Sequence, residues 1–136
     1  MVMEEASSSG TTQTSYPCGV LYRFPAVYAL AMRLIYGKSY STRYRSVACY
    51  VPPHSTVLDV CCGDAKLSSF LPKSVSYRGI DISPACVSYA SKMGISAALG
   101  DIENTPIPQA DVIVIQGSLY QFKDPKKTYC QTVPVC

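Results

Sequence analysis

The chain has a single imidazole, His54, and none of its seven cysteines (Cys18, Cys49, Cys61, Cys62, Cys86, Cys130 and Cys136) forms a Cys-x-x-Cys pair. That leaves a structural zinc site without the ligand spacing it needs. An odd cysteine count in a chain with no secretory pattern also argues against a disulfide framework. Charged residues make up only 15% of the sequence, below the share in an average soluble domain, while nearly half is apolar. Intrinsic disorder is therefore excluded for the chain as a whole. Acid is missing altogether between Glu5 and Asp59, where Arg23, Arg33, Lys38, Arg43 and Arg45 fall. The net charge of +3 is too small to imply a nucleic-acid partner by itself.

No stretch reads as a membrane span. The most apolar N-terminal run, "GVLYRFPAVYALAMRLIYG", carries Arg23, Pro25 and Arg33. The first fifteen residues are polar with two glutamates and do not resemble a signal peptide. The expectation is a soluble, cytoplasmic protein with no membrane partner.

At 136 residues the chain is one domain's worth. Residues 1–15 read as a disordered leader. Residues 16–53 read as a helical segment. Val27, Leu30, Ala31, Leu34 and Ile35 have helical spacing from Pro25 to Tyr36, closed by Gly37, and a second helix runs from Ser41 to about Cys49 before Pro52-Pro53. From 54 to 122 the character changes. Strands are predicted at 56–60, 76–82, 95–99 and 110–116, with helices at 64–71 and 83–94. The alternation implies right-handed βαβ units and a parallel sheet. Residues 123–136 read as an irregular tail.

The stretch "TVLDVCCGDAKLSSFL" (56–71) is the chemical centre of the sequence. In a parallel α/β sheet, ligands gather beyond the carboxyl ends of the strands. Asp59 ends the first predicted strand, Asp81 the second and Asp101 follows the third. What positions 61, 63 and 65 need on this reading is small size, so that backbone can approach a ligand; thiol reactivity is not required. Asp81 is placed to accept from a ribose diol and Asp101 from an exocyclic amine.

These residues resemble the class I S-adenosylmethionine-dependent methyltransferases from about Tyr40 to Phe122. "VLDVCCGDAKL" is similar to that family's acid-x-Gly-x-Gly-x-Gly motif, "YRGIDIS" to its second motif, and "GDIENTPIPQADVIVIQGSLYQF" to its third and fourth. The resemblance implies an α/β fold, a Rossmann-like open parallel sheet with helices on both faces, and S-adenosyl-L-methionine as cofactor. It implies that the methionine portion lies against Asp59, Cys61 and Gly63. Asp81 would bind the ribose, with Ile82 against the adenine. Asp101 would meet the adenine amine, with Ile102 nearby, and Gln116 and Gly117 would line the mouth by the methyl group. Tyr40 and Arg43 would reach the cofactor's carboxylate.

Cys61 and Ala65 stand where two of the family's glycines would be. A dinucleotide-binding Rossmann protein would want Gly-x-Gly-x-x-Gly in this turn, which is absent. Four predicted strands against the family's seven imply a shortened methyltransferase with an open sheet edge, open to self-association or a partner strand. Two function classes stand: an active methyltransferase on an unidentified acceptor, or a non-catalytic cofactor-binding remnant or interaction module. The tyrosine-rich basic segment admits nucleic-acid contact as the lesser reading.

Overall fold

A computed structural model describes residues 24–132; the expected leader (1–15) and the last residues of the expected tail lie outside the described residues. The element order is α1 (Pro25–Tyr36), α2 (Lys38–Ala48), β1 (Thr56–Val60), a 3₁₀ segment (Lys66–Phe70), β2 (Ser76–Asp81), α3 (Pro84–Lys92), β3 (Ala97–Leu99), β4 (Val112–Ile115), a 3₁₀ turn (Leu119–Gln121) and α4 (Pro125–Thr132). The strands form one parallel sheet in the order β3-β2-β1-β4. This is the expected α/β, Rossmann-like sheet of four strands. Among the described residues no helix is long and apolar enough to cross a membrane.

The register decides which side chains share a face. Val57 and Asp59 of β1 stand beside Tyr77 and Gly79 of β2, with Val112 and Val114 of β4 on the other side. Tyr40 and Tyr44 of α2 and Leu67 of the 3₁₀ segment cover Val57 and Val114 on that face. Phe70 stacks on Tyr44 with ring centroids 5.6 Å apart, and α3 adds Ala90 against Cys62 and Ala65. Leu58, Val60 and Ile80 point the other way. Their cover is Ile102, Ile107, Ala110 and Phe122, side chains of loop rather than of a long helix. Fully burying a side chain such as Leu58 or Leu67 stabilises by about 1.5–3 kcal/mol, whichever cover does it.

Local signals explain the boundaries. Ser83 caps α3 by accepting the Cys86 N–H, and Pro84 holds the first helical position. The helix expected at 64–71 is a 3₁₀ segment over Lys66–Phe70. Ala65 enters it in the left-handed region, and Ser68 and Ser69 donate their hydroxyls to the Ala65 and Lys66 carbonyls. Pro72 then forces Leu71 into extended backbone, so no α-turn can follow. The expectation of an irregular tail from 123 is corrected by α4. Asp124 accepts the Lys127 N–H at 3.0 Å and Pro125 starts the helix, a cap-and-proline pair with no apolar periodicity behind it.

The amino ends of β1 and β4 are clipped together. Asp111 accepts the Thr56 N–H and hydroxyl at 2.7 and 2.8 Å, and Thr56 Oγ1 accepts the Asp111 N–H at 2.9 Å.

Candidate cofactor site at the carboxyl rim

β2 and β3 lie on one side of β1 and β4 on the other, so the strand order reverses at the carboxyl end of β1. That is where an open α/β sheet leaves a crevice. The chain leaves β1 through Cys61, Cys62 and Gly63 and reaches Ala65. Three of these residues have positive φ: Cys61 at 57°, Gly63 at 55° and Ala65 at 55°. Positions 61, 63 and 65 therefore need a left-handed backbone as well as small size, and only glycine adopts it without strain. A Cβ built on Gly63 or on Gly117 would meet nothing within 4 Å, so the turn faces open space.

Asp81 holds this turn. One of its oxygens accepts the Gly63 N–H and the other the Ser83 N–H, both at 2.8 Å. A carboxylate has about four acceptor sites, so each oxygen keeps capacity for a ligand hydroxyl. Asp59, buried in β1, accepts from the Tyr77 hydroxyl at 2.8 Å. Burial pushes its carboxyl up to about 7 against the pull of that hydrogen bond, and Asp64 and Asp81 push the same way. Asp64 accepts the Lys66 N–H and is also raised, chiefly by burial. Asp101 accepts the Glu103 N–H at 3.0 Å and the Asn104 side-chain amide at 2.7 Å.

Asp81, Asp59 and Asp101 all raise the Cys61 thiol, which burial first of all pushes up to about 12. Burial raises the Cys62 thiol as well. Both sulfurs stay protonated, so this is not a thiolate site. Among the described residues no group of three or more potential ligands is arranged to hold a metal ion.

The remaining expected residues surround the turn. Ile82 is 62% exposed directly after Asp81, a free apolar surface at the rim. Ile102 is buried among Leu58, Val60 and Ile80, so it belongs to the core and can offer a ligand only its backbone. Gln116 donates its amide to the Arg43 carbonyl at 3.3 Å, tying the end of β4 to α2, and Gly117 follows at φ 73°. Tyr40 is buried and its hydroxyl, though acted on by the neighbouring Tyr44, reaches no hydrogen-bond partner; Nε of Arg43 is likewise without one. The Arg43 guanidinium lies over the Tyr40 and Tyr44 rings, 5.3 and 4.7 Å from their centroids, and donates to the Tyr44 hydroxyl. Both orphaned groups are close enough to Asp64 to act on it or be acted on by it.

Sequence reasoning missed Tyr77, Gly79 and Ser118. Ser118 is buried, and its hydroxyl donates to the Gln116 carbonyl at 3.4 Å. Tyr77, Gly79 and Asp81 alternate along β2 on the face that carries Asp59, a parity the sequence does contain. Two cavities lie away from this turn. One of about 400 Å³ is lined by Glu103 to Ile107, and one of about 170 Å³ by Glu103, Asn104, Lys123, Asp124, Lys127 and Thr128.

A family model described as methionine biosynthesis protein MetW matches residues 41–135. No curated protein sequence matches. Solved structures similar in fold include a TehB-like S-adenosylmethionine-dependent methyltransferase from Corynebacterium glutamicum, 22% identical with a TM-score of 0.62 over 76% of this chain and 61% of that one. A Thermotoga maritima S-adenosylmethionine-dependent methyltransferase, described as a possible histamine N-methyltransferase, is 19% identical with a TM-score of 0.67 over 85% of this chain and 54% of its own. The plantazolicin methyltransferase BamL, solved with a desmethyl analogue and S-adenosylhomocysteine, is 24% identical with a TM-score of 0.60 over 79% of this chain and 47% of its own. The chain thus spans about half the length of these neighbours.

Proposed function

The chain belongs to the family of methionine biosynthesis protein MetW, and on that footing we propose that it binds S-adenosyl-L-methionine at the carboxyl rim and serves methyl transfer to an acceptor. One observation carries the reading: Tyr40 Oη and Arg43 Nε are buried donors without partners, while the groups acting on the buried Asp59 carboxyl, Tyr77, Asp64 and Asp81, include no cation. An unpaired buried donor costs about 1–3 kcal/mol, and a buried carboxylate more. An α-amino acid supplies what each half lacks, a carboxylate for the donors and an ammonium for Asp59. The cofactor's methionine end is such a group, and its sulfonium would supply the methyl.

The chain's own residues then divide the work. Tyr40 and Arg43 take the carboxylate and Asp59 the ammonium. Asp81 has acceptor capacity left for the ribose hydroxyls, and Ile82 offers an apolar surface for the adenine. Asp101, already bonded within its own turn, receives the adenine amine on a remaining acceptor site. Gln116 and Gly117 border the open side where an acceptor would approach. Transfer of a methyl from a sulfonium needs positioning above all, and no residue here is assigned as catalytic.

Calorimetry on the full chain tests this. We expect S-adenosyl-L-methionine and S-adenosylhomocysteine to bind, and 5′-methylthioadenosine, which lacks the amino-acid end, to bind at least about tenfold more weakly, the scale of one lost charge-assisted hydrogen bond. Absence of binding by all three ligands would refute the cofactor reading. Methyl turnover is read separately, from radiolabelled cofactor with candidate acceptors.

A further inference from the structure

Asp59 and Gly79 are partners across β1 and β2, and Tyr77 stands two residues earlier on the same face. Its ring therefore runs along Gly79 toward the carboxyl rim, and the hydroxyl ends 2.8 Å from Oδ2 of Asp59. The missing side chain at 79 makes this reach possible: a Cβ there would stand 3.2 Å from the Tyr77 hydroxyl and 2.5 Å from Cys62 Sγ. A tyrosine, a glycine and an acid on one face are thus needed together.

We propose that Tyr77 is a positioning residue of the cofactor site, whose hydroxyl holds the Asp59 carboxylate in place to meet the ammonium of the ligand. The proposal rests on the cofactor reading above. The groups that face Asp59 are Tyr77 and Asp81 from β2 and Asp64, Cys61 and Cys62 from the turn. None is a cation, and of these Tyr77 alone favours the ionised carboxylate. A partly buried tyrosine hydroxyl is best given a hydrogen-bond partner, but packing would be served equally by a backbone carbonyl. Spending the bond on a carboxylate that nothing else supports serves a ligand.

The test compares S-adenosylhomocysteine with 5′-methylthioadenosine, two thioethers that differ in the amino-acid end, between pH 6 and 8. In the unaltered chain, affinity for S-adenosylhomocysteine should rise with pH through about 7 as Asp59 ionises, while that for 5′-methylthioadenosine stays flat. Tyr77→Phe removes the bond that lowers the Asp59 carboxyl, so the rise moves to higher pH. At pH 7 the variant should bind S-adenosylhomocysteine about tenfold more weakly and 5′-methylthioadenosine unchanged. On an Asp59→Asn background, Tyr77→Phe should add less than about a twofold loss.

Equal weakening of both ligands, or the same loss with Asp59 replaced, would make Tyr77 a packing residue and overturn the proposal. So would a flat pH profile for S-adenosylhomocysteine in the unaltered chain, a measurement that needs no variant to fold. If the unaltered chain binds neither ligand, the cofactor reading falls first and this proposal with it.

Discussion

Asp59 within β1 and Asp111 immediately before β4 are the same residue type at opposite rims of one sheet, and they live in opposite conditions. Asp111 is exposed and accepts two hydrogen bonds from Thr56, which hold its carboxyl below the usual range. Asp59 is buried, accepts from Tyr77, and is pushed up to about 7 chiefly by burial. The amino rim satisfies itself. The carboxyl rim gathers what a fold optimised for stability would avoid: raised acids, two orphaned donors and three left-handed turn positions. Such strain persists where the surrounding structure over-determines it, and it concentrates at functional sites.

The largest expected effect comes from Asp81→Ala. It removes the acceptor of the Gly63 and Ser83 N–H groups together. Two partly buried donors without partners should cost about 2–4 kcal/mol, read as a lower urea midpoint at pH 7. Asp111→Ala at the other rim also removes a two-bond acceptor, but water can replace it, and the midpoint should move far less. Equal losses would break the contrast between the rims. Because Asp81 also holds the turn, weaker cofactor binding in Asp81→Ala does not by itself prove ribose contact. A cofactor analogue lacking the ribose 2′-hydroxyl, added to the unaltered chain, tests that contact directly.

Asp59→Asn should act with the opposite sign. The folded carboxyl titrates near 7 and the unfolded one near its ordinary 3.8, so the folded state holds the extra proton between them. Stability therefore falls as pH rises from about 4 to about 7. Removing the charge should stabilise the chain by about 1–3 kcal/mol at pH 8, with the gain shrinking as pH is lowered toward 4. Asp111 runs the other way: its lowered carboxyl supports the fold above its titration range and loses that support as pH falls through it. Thermal melts of Asp59→Asn and Asp111→Asn from pH 4 to 8 should diverge in sign. Parallel curves would show that Asp59 carries no burial cost.

The fold was largely legible in the sequence because its signals are local. β-branched runs such as "TVLDV" and "DVIVI" mark strands, and the Ser83-Pro84 pair marks the start of α3. The 3₁₀ segment and α4 were misread for the converse reason. Each is set by side-chain caps and a proline, Ser68, Ser69 and Pro72 in one and Asp124 and Pro125 in the other, with little apolar periodicity. The acids at the strand ends could be placed by counting strands. Their environment could not. That Asp59 would be buried against Tyr77, that Asp81 would hold two backbone N–H groups, and that Ile102 would turn into the core all depend on register between strands distant in sequence. Tyr77 was legible in principle, since Asp59 and Gly79 pair and parity then puts residue 77 on the same face.

Cys61→Gly should have the smallest effect, and its sign is informative. Elsewhere in a strand or helix a new glycine costs about 0.5–1 kcal/mol through the freedom it adds to the unfolded chain. At 61 the backbone sits at φ 57°, where an L side chain is itself strained by about 1–2 kcal/mol. Relief of that strain opposes both the entropy term and the loss of a half-buried thiol that packs on the cluster around Leu58 and Val60. The net change should be favourable and below about 1 kcal/mol. Cys61→Val, with a β-branched side chain in the same conformation, should instead destabilise. If glycine cost as much at 61 as it does within a strand, the turn would not be the strained element that separates the two rims. The rims would then differ in their acids alone.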